Sequence, residues 1–416
     1  MKLVIVNQHA GNKGDEAAGR AVIESLMQEF PDADIDVLYR ISVPSCPIWP
    51  DNERVKHHVD SMLFPKMSRK LYMIYGFLSL FLAKIGLKKL IPGRAMNFLI
   101  EKVKEADLVV NAPTGPNLGD IYQDFMYMFQ LIAPIILGTK TCIYASSVGP
   151  FKTWWVRILA KFIFEHLEFV CVRDEISYEY LKNLKLKNKN LYISLDAVVQ
   201  RKLDYSEADD ILNQLEISSD KKYIGVSPIL YKCYGGTYVQ QLKNEEVLVR
   251  LLDDLIEKYN YGVIFYPHLN RNSEYLTEIW DDLGLIYKIK GKLKDDSAVH
   301  VLPKEFDTDM QQKLISKMDF FIGMRCHSIV FSIKACVPCL GIAYEHKAKA
   351  FMKMIGLKDL CMDINDFSYN EAKVREIINS IIQNRDKYSG YLSDKMPELM
   401  KLSSKGTDLI KELYIN

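Results

Sequence analysis

The stretch MDFFIGMRCHSIVFSIKACVPCLGIAYEHK, residues 318–347, decides the fold. Met318–Gly323 carries an apolar centre, Phe320–Ile322, and Cys339–Ile342 is a second run of the same kind. Short continuous apolar runs suit strands buried on both faces of a parallel sheet. Ser328–Ala335 between them reads as a helix, which leaves Arg325-Cys326-His327 on the turn from strand to helix. Strand, helix and strand at this spacing make a βαβ unit, the building block of an open α/β sheet.

The same rhythm extends outward in both directions. In the second half Tyr223–Val226 and Gly262–Tyr266 are further strands. In the first half the strands are Leu3–Asn7, Ile35–Leu38, Leu108–Asn111, Thr141–Ala145, Phe169–Arg173 and Leu191–Ser194, with a helix over Glu16–Glu29. A polar, charged stretch from Arg201 to Lys222 separates the halves. A chain of 416 residues exceeds one compact core, so the pattern predicts two Rossmann-like domains facing a cleft, over 1–200 and 201–416. The last helix is expected to pack back on the first domain.

Composition narrows the function. A net charge of +1 supplies no global field for phosphate backbones, which argues against a general nucleic-acid binder. The opening MKLVIVNQHAGNKGD lacks the apolar stretch and cleavage site of a signal peptide, so the expected location is cytoplasmic, with reduced thiols. Cys336-Val337-Pro338-Cys339 has CxxC spacing, but no second pair completes a zinc site, so buried cysteines are expected and no metal. One segment breaks the α/β rhythm. Leu71–Ala83 is an uncharged apolar run of 13 residues, too short to span a bilayer. Lys66, Arg69 and Lys70 precede it, Lys84, Lys88, Lys89 and Arg94 follow it, and Tyr72, Tyr75, Phe77 and Phe81 lie within it. Two readings stand: a helix lying in an anionic membrane interface over 66–94, or a core helix between the domains.

Six stretches hold groups suited to chemistry. Gly11-Asn12-Lys13-Gly14-Asp15-Glu16 opens a helix after the first strand, where glycine admits close backbone approach and helix N–H groups attract anions. It matches neither GxGxxG nor a phosphate loop, and Asn12 or Asp15 also suits a helix cap. Thr114–Asp120, reading TGPNLGD, puts Asn117 in a second such loop. Arg173 ends a strand in VCVRDEIS, where its fork suits a carboxylate or phosphate or an ion pair with Asp174 or Glu175. Arg325 and His327 form the strongest unit, a permanent cation and a titratable imidazole at a helix N-terminus. Tyr344 and Lys347 follow the next strand, and His268 in FYPHLN ends another.

Together GNKGDE, the SVGPF turn at Ser147–Phe151, VCVRDEIS and GMRCHSIVFSIKACVPCLGIAYEHKAKAF resemble the polysaccharide pyruvyltransferase family over roughly residues 1–355. That family's recurring Arg-x-His, G/V-x-P turn and Tyr-x-x-Lys fall here on Arg325 and His327, on Val337-Pro338, and on Tyr344 and Lys347. The second glycine loop departs from relatives that carry consecutive glycines there. The resemblance implies a fold like the two-Rossmann, GT-B glycosyltransferases. It also implies transfer of pyruvate from phosphoenolpyruvate to a sugar of a cell-surface glycan as a ketal, with phosphoenolpyruvate a co-substrate and no cofactor. On this basis His327 is the expected general acid or base. Arg325, Arg173, Lys347 and Tyr344 are expected to hold phosphoenolpyruvate. Asn12, Gly14, Asp15, Asn117 and His268 are expected on the acceptor side. If Leu71–Ala83 lies on a bilayer, the acceptor sugar is expected on a polyprenyl carrier at the inner face of the cell membrane. The rival readings are a GT-B glycosyltransferase using a nucleotide sugar and a non-catalytic glycan- or lipid-binding protein.

Overall fold

The computed structural model describes residues 1–41, 52–59, 69–87, 94–269 and 282–415. Seven parallel strands build the first sheet: β1 (Lys2–His9), β2 (Asp34–Ile41), β3 (Val55–His58), β4 (Leu108–Asn111), β5 (Thr141–Ser146), β6 (Phe169–Val172) and β7 (Leu191–Ile193). Their spatial order is β3-β2-β1-β4-β5-β6-β7. Six parallel strands build the second: β8 (Tyr223–Ser227), β9 (Gly262–Phe265), β10 (Val299–Val301), β11 (Phe320–Gly323), β12 (Cys339–Ala343) and β13 (Cys361–Asp363), in the order β10-β9-β8-β11-β12-β13. The expected α/β architecture is therefore present twice. Strand order reverses between β1 and β4 and again between β8 and β11, and open α/β sheets take ligands beyond the carboxyl ends of strands at that reversal.

The central strands β4, β5, β6, β8, β9, β11 and β12 are buried along their whole length, as their uninterrupted apolar runs predict. Sequence reading missed β3, β10 and β13. These are edge strands of three or four residues, only partly buried, so their sequences VKHH, VHV and CMD lack the apolar run. Two further differences bear on function. The first helix spans Lys13–Glu29, so Lys13, Gly14 and Asp15 sit in its first turn and only Gly11 and Asn12 remain as loop. The helix after β11 begins at Cys326, so His327 also lies within a first turn, with Arg325 at the N-cap.

Two irregularities turn strand ends toward the cleft. The β1–β2 register shifts between Ile5 and His9, where Asn7 adopts a positive φ of 63°. The β5–β6 register shifts between Ile143 and Ser146, where Ala145 holds φ 46°. Bulges re-aim the side chains that follow them, here His9 at one site and Ser146 and Ser147 at the other. Asparagine tolerates this conformation, whereas for alanine it is strained and the surrounding sheet must hold it.

The two halves are tied together. Ala17 and Ala18 of the first helix pack into the core of the second sheet, and the Lys13 amide donates to the His268 carbonyl at 3.0 Å. The chain also returns to its start. Leu409 and Ile410 of the final helix Lys405–Ile415 pack with Leu3 and Ile5, while Thr407 and Tyr144 hydroxyls lie 2.8 Å apart.

Leu71–Ala83 falls within a helix, Arg69–Lys84, and is not buried between the domains. Its inner face, with Leu80 and Ala83, joins the core beneath the helices Arg94–Glu105 and Phe125–Leu137 of the first domain. Its outer face is exposed. Lys66, Lys88 and Lys89 lie outside the described residues, as do the side chains of Arg69, Lys70, Tyr72 and Arg94. Among the described residues no helix is long and apolar enough to cross a membrane.

Arg201, at the boundary between the halves, is buried and forks onto two carboxylates. It reaches Glu24 of the first helix at 2.6 and 2.8 Å and Asp309 of the second domain at 2.7 Å. Arg20 adds bonds to Asp307 and Asp309 at 3.1 and 3.2 Å. Removing one partner of a buried pair strands the other charge, but Glu24 retains contact with water. Arg201→Gln is therefore expected to cost about 2 kcal/mol rather than the larger figure of a fully buried pair. Equilibrium urea unfolding measures this, and no loss contradicts the clamp.

Candidate functional site

His327 is almost fully buried, and groups from both domains meet around it. Its Nε2 lies 3.3 Å from Arg173 Nη1 and 3.5 Å from Asp196 Oδ2. That nitrogen accepts from the guanidinium when bare, or donates to the carboxylate when protonated. The other edge of the ring abuts the first helix: a Cβ built on Gly14 would fall 2.0 Å from His327 Nδ1. Gly14 is thus required by close approach of its backbone to the imidazole, which gives it a contact in place of the open acceptor position expected of it.

Arg173 is 4% exposed and follows β6 directly. Its Nη1 donates to Asp196 at 2.6 Å and its Nε to Ser147 Oγ at 3.0 Å, so neither Asp174 nor Glu175 is its ion partner. Asp174 caps the next helix instead, accepting from Ser177 N–H at 2.7 Å. Burial alone would raise the Asp196 carboxyl. The charges of Arg173 and then His327 overcome it and hold the group well below the usual carboxylate range. Arg173 Nη2 is buried and makes no hydrogen bond among the described residues.

Arg325 is engaged more fully than expected. Its Nη2 pairs with Asp282, and its Nη1 donates to the Tyr234 hydroxyl at 2.7 Å. Asp282 also accepts the His268 and Leu269 N–H groups at 3.1 and 2.8 Å, so one carboxylate fixes both the arginine and the loop after β9. Tyr344 packs its ring 5.0 Å from that of Tyr234 and so supports the phenol that holds Arg325. Lys347 Nζ lies 3.0 Å from Glu345 and faces Gly115 of the second glycine loop, where a Cβ would stand 3.6 Å away. Lys13, 1% exposed, has Glu16 at 3.8 Å, and its Nζ makes no hydrogen bond among the described residues.

The remaining expected residues fare differently. Asn12 spends its side-chain oxygen capping the first helix through Gly14 N–H at 3.0 Å. Asp15 lies 3.3 Å from His9 Nδ1. Burial raises its carboxyl, but the His9 bond and charge, with His327 and Lys347 beyond, bring it down to about 2. His268 is 1% exposed, its ring 5.4 Å from Phe331, with neither nitrogen hydrogen-bonded among the described residues. Burial, and then Arg325, His327 and Lys13, push its imidazole well below the usual value, so it stands neutral near pH 7. Asn117 is buried in a loop zipped to the β5 end by Gly149 N–H to Leu118 carbonyl at 2.9 Å. Cys326 is raised to about 11 by burial, which removes it as a nucleophile.

The structure thus brings His327, Arg173, Asp15, Gly14, Arg325, Lys347, Tyr344 and His268 to one place. It adds Asp196, Asp282, His9, Lys13, Tyr234 and Ser147, which sequence reading did not single out. Among the cluster's cations the pairing is regular: Arg173 with Asp196, Arg325 with Asp282, Lys347 with Glu345, Lys13 with Glu16. A new anion can still be met by donors these pairs leave over, above all Arg173 Nη2 and Lys13 Nζ.

Asp15 supplies a pH test. Its folded value of about 2 lies below its ordinary 3.8, so ionised Asp15 contributes stability that is present above the ordinary value and lost as pH falls through the folded one. The depression corresponds to about 2 kcal/mol. Urea unfolding of wild type and Asp15→Asn should differ by about that much near pH 6 and converge toward about pH 2. A gap that does not narrow contradicts the assignment.

The chain resembles known proteins over its length. The chain is 23% identical over 427 residues to the amylovoran biosynthesis protein AmsJ of Erwinia amylovora, covering 99% of this chain and 100% of AmsJ. Among solved structures it resembles the UDP-GlcNAc 2-epimerase of Neisseria meningitidis bound to UDP-GlcNAc, at TM-score 0.58 and 12% identity with 100% of each chain covered. It resembles Anabaena Alr3699/HepE in complex with UDP-glucose at TM-score 0.60 and 12% identity, again over 100% of each. Likeness at that identity shows a shared fold, the GT-B arrangement of two facing Rossmann-like domains. The model of the polysaccharide pyruvyl transferase family matches residues 12–346, a span that holds Gly14, Asp15, Arg173, Asp196, Asp282, Arg325 and His327. The chain belongs to the polysaccharide pyruvyl transferase family.

Proposed function

We propose that this protein moves pyruvate from phosphoenolpyruvate onto two hydroxyls of one sugar in a polysaccharide precursor, giving a cyclic ketal and free phosphate. The observation that carries the reading is a buried arginine, Arg173, with one guanidinium nitrogen unspent, beside a histidine at a helix N-terminus. Phosphoenolpyruvate brings a carboxylate and a phosphate, and both demand such donors. Lys13 adds a buried ammonium without a hydrogen bond. Arg325 and Lys347, already paired, contribute charge and position, and Tyr344 steadies Arg325 through Tyr234.

The chemistry follows from the substrate. A proton added to C3 makes the methyl group, and C2 gains cationic character. A sugar hydroxyl bonds to C2 and loses its proton. The C2–O bond to phosphate then breaks, and a second hydroxyl of the same sugar closes the ring, releasing another proton. His327 is the general acid or base for these transfers, with Asp196 and Arg173 orienting its ring. Arg173 stabilises the departing phosphate. No step calls on a metal or a cofactor. Asp15 with His9, Asn117 and the neutral His268 form the acceptor side, where uncharged or accepting groups suit hydroxyls. Asn12 and Gly14 support it by capping the helix and seating the imidazole. The acceptor sugar is carried on a polyprenyl-linked oligosaccharide, with the protein peripheral at the inner face of the cell membrane.

Mass spectrometry of candidate acceptors after incubation with phosphoenolpyruvate tests the reading. A pyruvate ketal is expected, and His327→Ala should slow its formation about 10²- to 10⁴-fold with the fold retained. Transfer from a nucleotide sugar and none from phosphoenolpyruvate overturns it. Glycan binding without ketal formation, unchanged in folded His327→Ala, assigns the chain to binding without catalysis.

A further inference from the structure

The helix Arg69–Lys84 shows two faces of opposite fate. On the inner face Gly76 is pressed so close to Phe129 that a Cβ would fall 2.9 Å from Cε2, and the Phe77 ring lies 6.1 Å from that of Phe125. On the outer face Ile74, Leu78, Phe81 and Ile85 recur at helical spacing, each half exposed or more. No described element covers them. Contiguous apolar surface of this kind is rare on monomers and marks a partner.

The position of that face is informative. Phe125 opens the helix that follows β4, and Met96, also against Gly76, stands near the start of the helix that leads into β4. Both helix starts lie at the carboxyl edge of the first sheet, so the helix segment around Gly76 lies at the cleft edge of that sheet. Further along the same layer, Trp154 and Ile158 project from the helix Trp154–Glu165, 73% and 60% exposed, with Lys152 and Arg157 exposed beside them. Ile121 and Tyr122, in the loop after β4, are exposed as well.

We infer that this rim is a docking surface for an anionic phospholipid bilayer, on which the protein lies without crossing. Charge identifies the occupant. Residues 61–100 carry seven lysines and arginines and no aspartate or glutamate. Lys84, Lys152 and Arg157 are exposed along the rim, and a second copy docking by the same face would bring those cations onto both sides of the contact, because a twofold interface uses one surface patch twice. A bilayer with acidic headgroups answers them, while its acyl boundary takes Ile74, Leu78 and Phe81. Tryptophan and tyrosine beside lysine and arginine are the residue types of that boundary. The surface deepens the proposed function, and its link to a lipid-carried acceptor rests on that reading: docked this way, the cleft opens beside the headgroups.

Co-sedimentation of the full chain with phosphatidylcholine vesicles, alone or mixed with phosphatidylglycerol, tests the surface without any substrate. Binding is expected to the mixed vesicles, weakening with salt. Ile74→Glu and, separately, Trp154→Glu should each lower it about tenfold or more. Ketal formation on a soluble acceptor, followed in the same samples, should be unchanged by either substitution. Absence of vesicle binding by the folded chain overturns the proposal, as does a dimer that Ile74→Glu dissociates while vesicles are ignored. Ketal formation by a wild-type chain that binds no vesicles refutes the surface alone, and vesicle binding by a wild-type chain that forms no ketal refutes the chemistry alone.

Discussion

A guanidinium and a carboxylate of the first domain, Arg173 and Asp196, are buried together at 2.6 Å beneath the imidazole of His327 from the second. Taking two such charges out of water costs several kcal/mol each, and only close, well-directed contact returns it. The second domain supplies the enclosure. The helix bearing His327 closes over the pair, and Gly14, having no side chain, lets the first helix meet the ring edge. The clamp at Arg201 and the backbone bond from Lys13 to His268 hold that closure from either side. Architecture and chemistry are therefore one constraint: where the domains meet, the charges pair.

The cluster is close to charge-balanced. Each cation around His327 has its own carboxylate, and what remains for an incoming dianion is a small set of unspent donors on groups that are already fixed. Such donors need little reorganisation when charge develops, the condition under which electrostatic stabilisation is most effective. In the proposed reaction those leftover N–H groups receive the phosphate and carboxylate of phosphoenolpyruvate.

Much of this is legible from sequence, and the exceptions share a cause. Arg173 and Arg325 are open to inspection because one follows a buried apolar strand directly and the other lies two residues beyond one, and His327 because it lies in the first turn of the helix that comes next. Their counter-charges are not. Asp196 follows β7, a three-residue strand at the sheet edge, and lies 23 residues from Arg173. Asp282 is 43 residues from Arg325. Pairing at that range is a product of the fold, so local pattern shows cations as free that the structure finds engaged. The same limit explains Gly14 and Asn12: a glycine loop looks like a ligand cradle until the opposite domain is seen to fill it. The apolar helix at Leu71–Ala83 was legible as a helix, but only packing separates its covered face from its bare one.

Calorimetric titration of phosphoenolpyruvate into the wild-type chain and into Arg173→Gln, with UDP as competitor, bears most directly on the cluster. The paired-charge site predicts binding of phosphoenolpyruvate that UDP does not displace, weakened about tenfold or more when the guanidinium is removed. Equal binding by Arg173→Gln, or displacement by UDP, would contradict it.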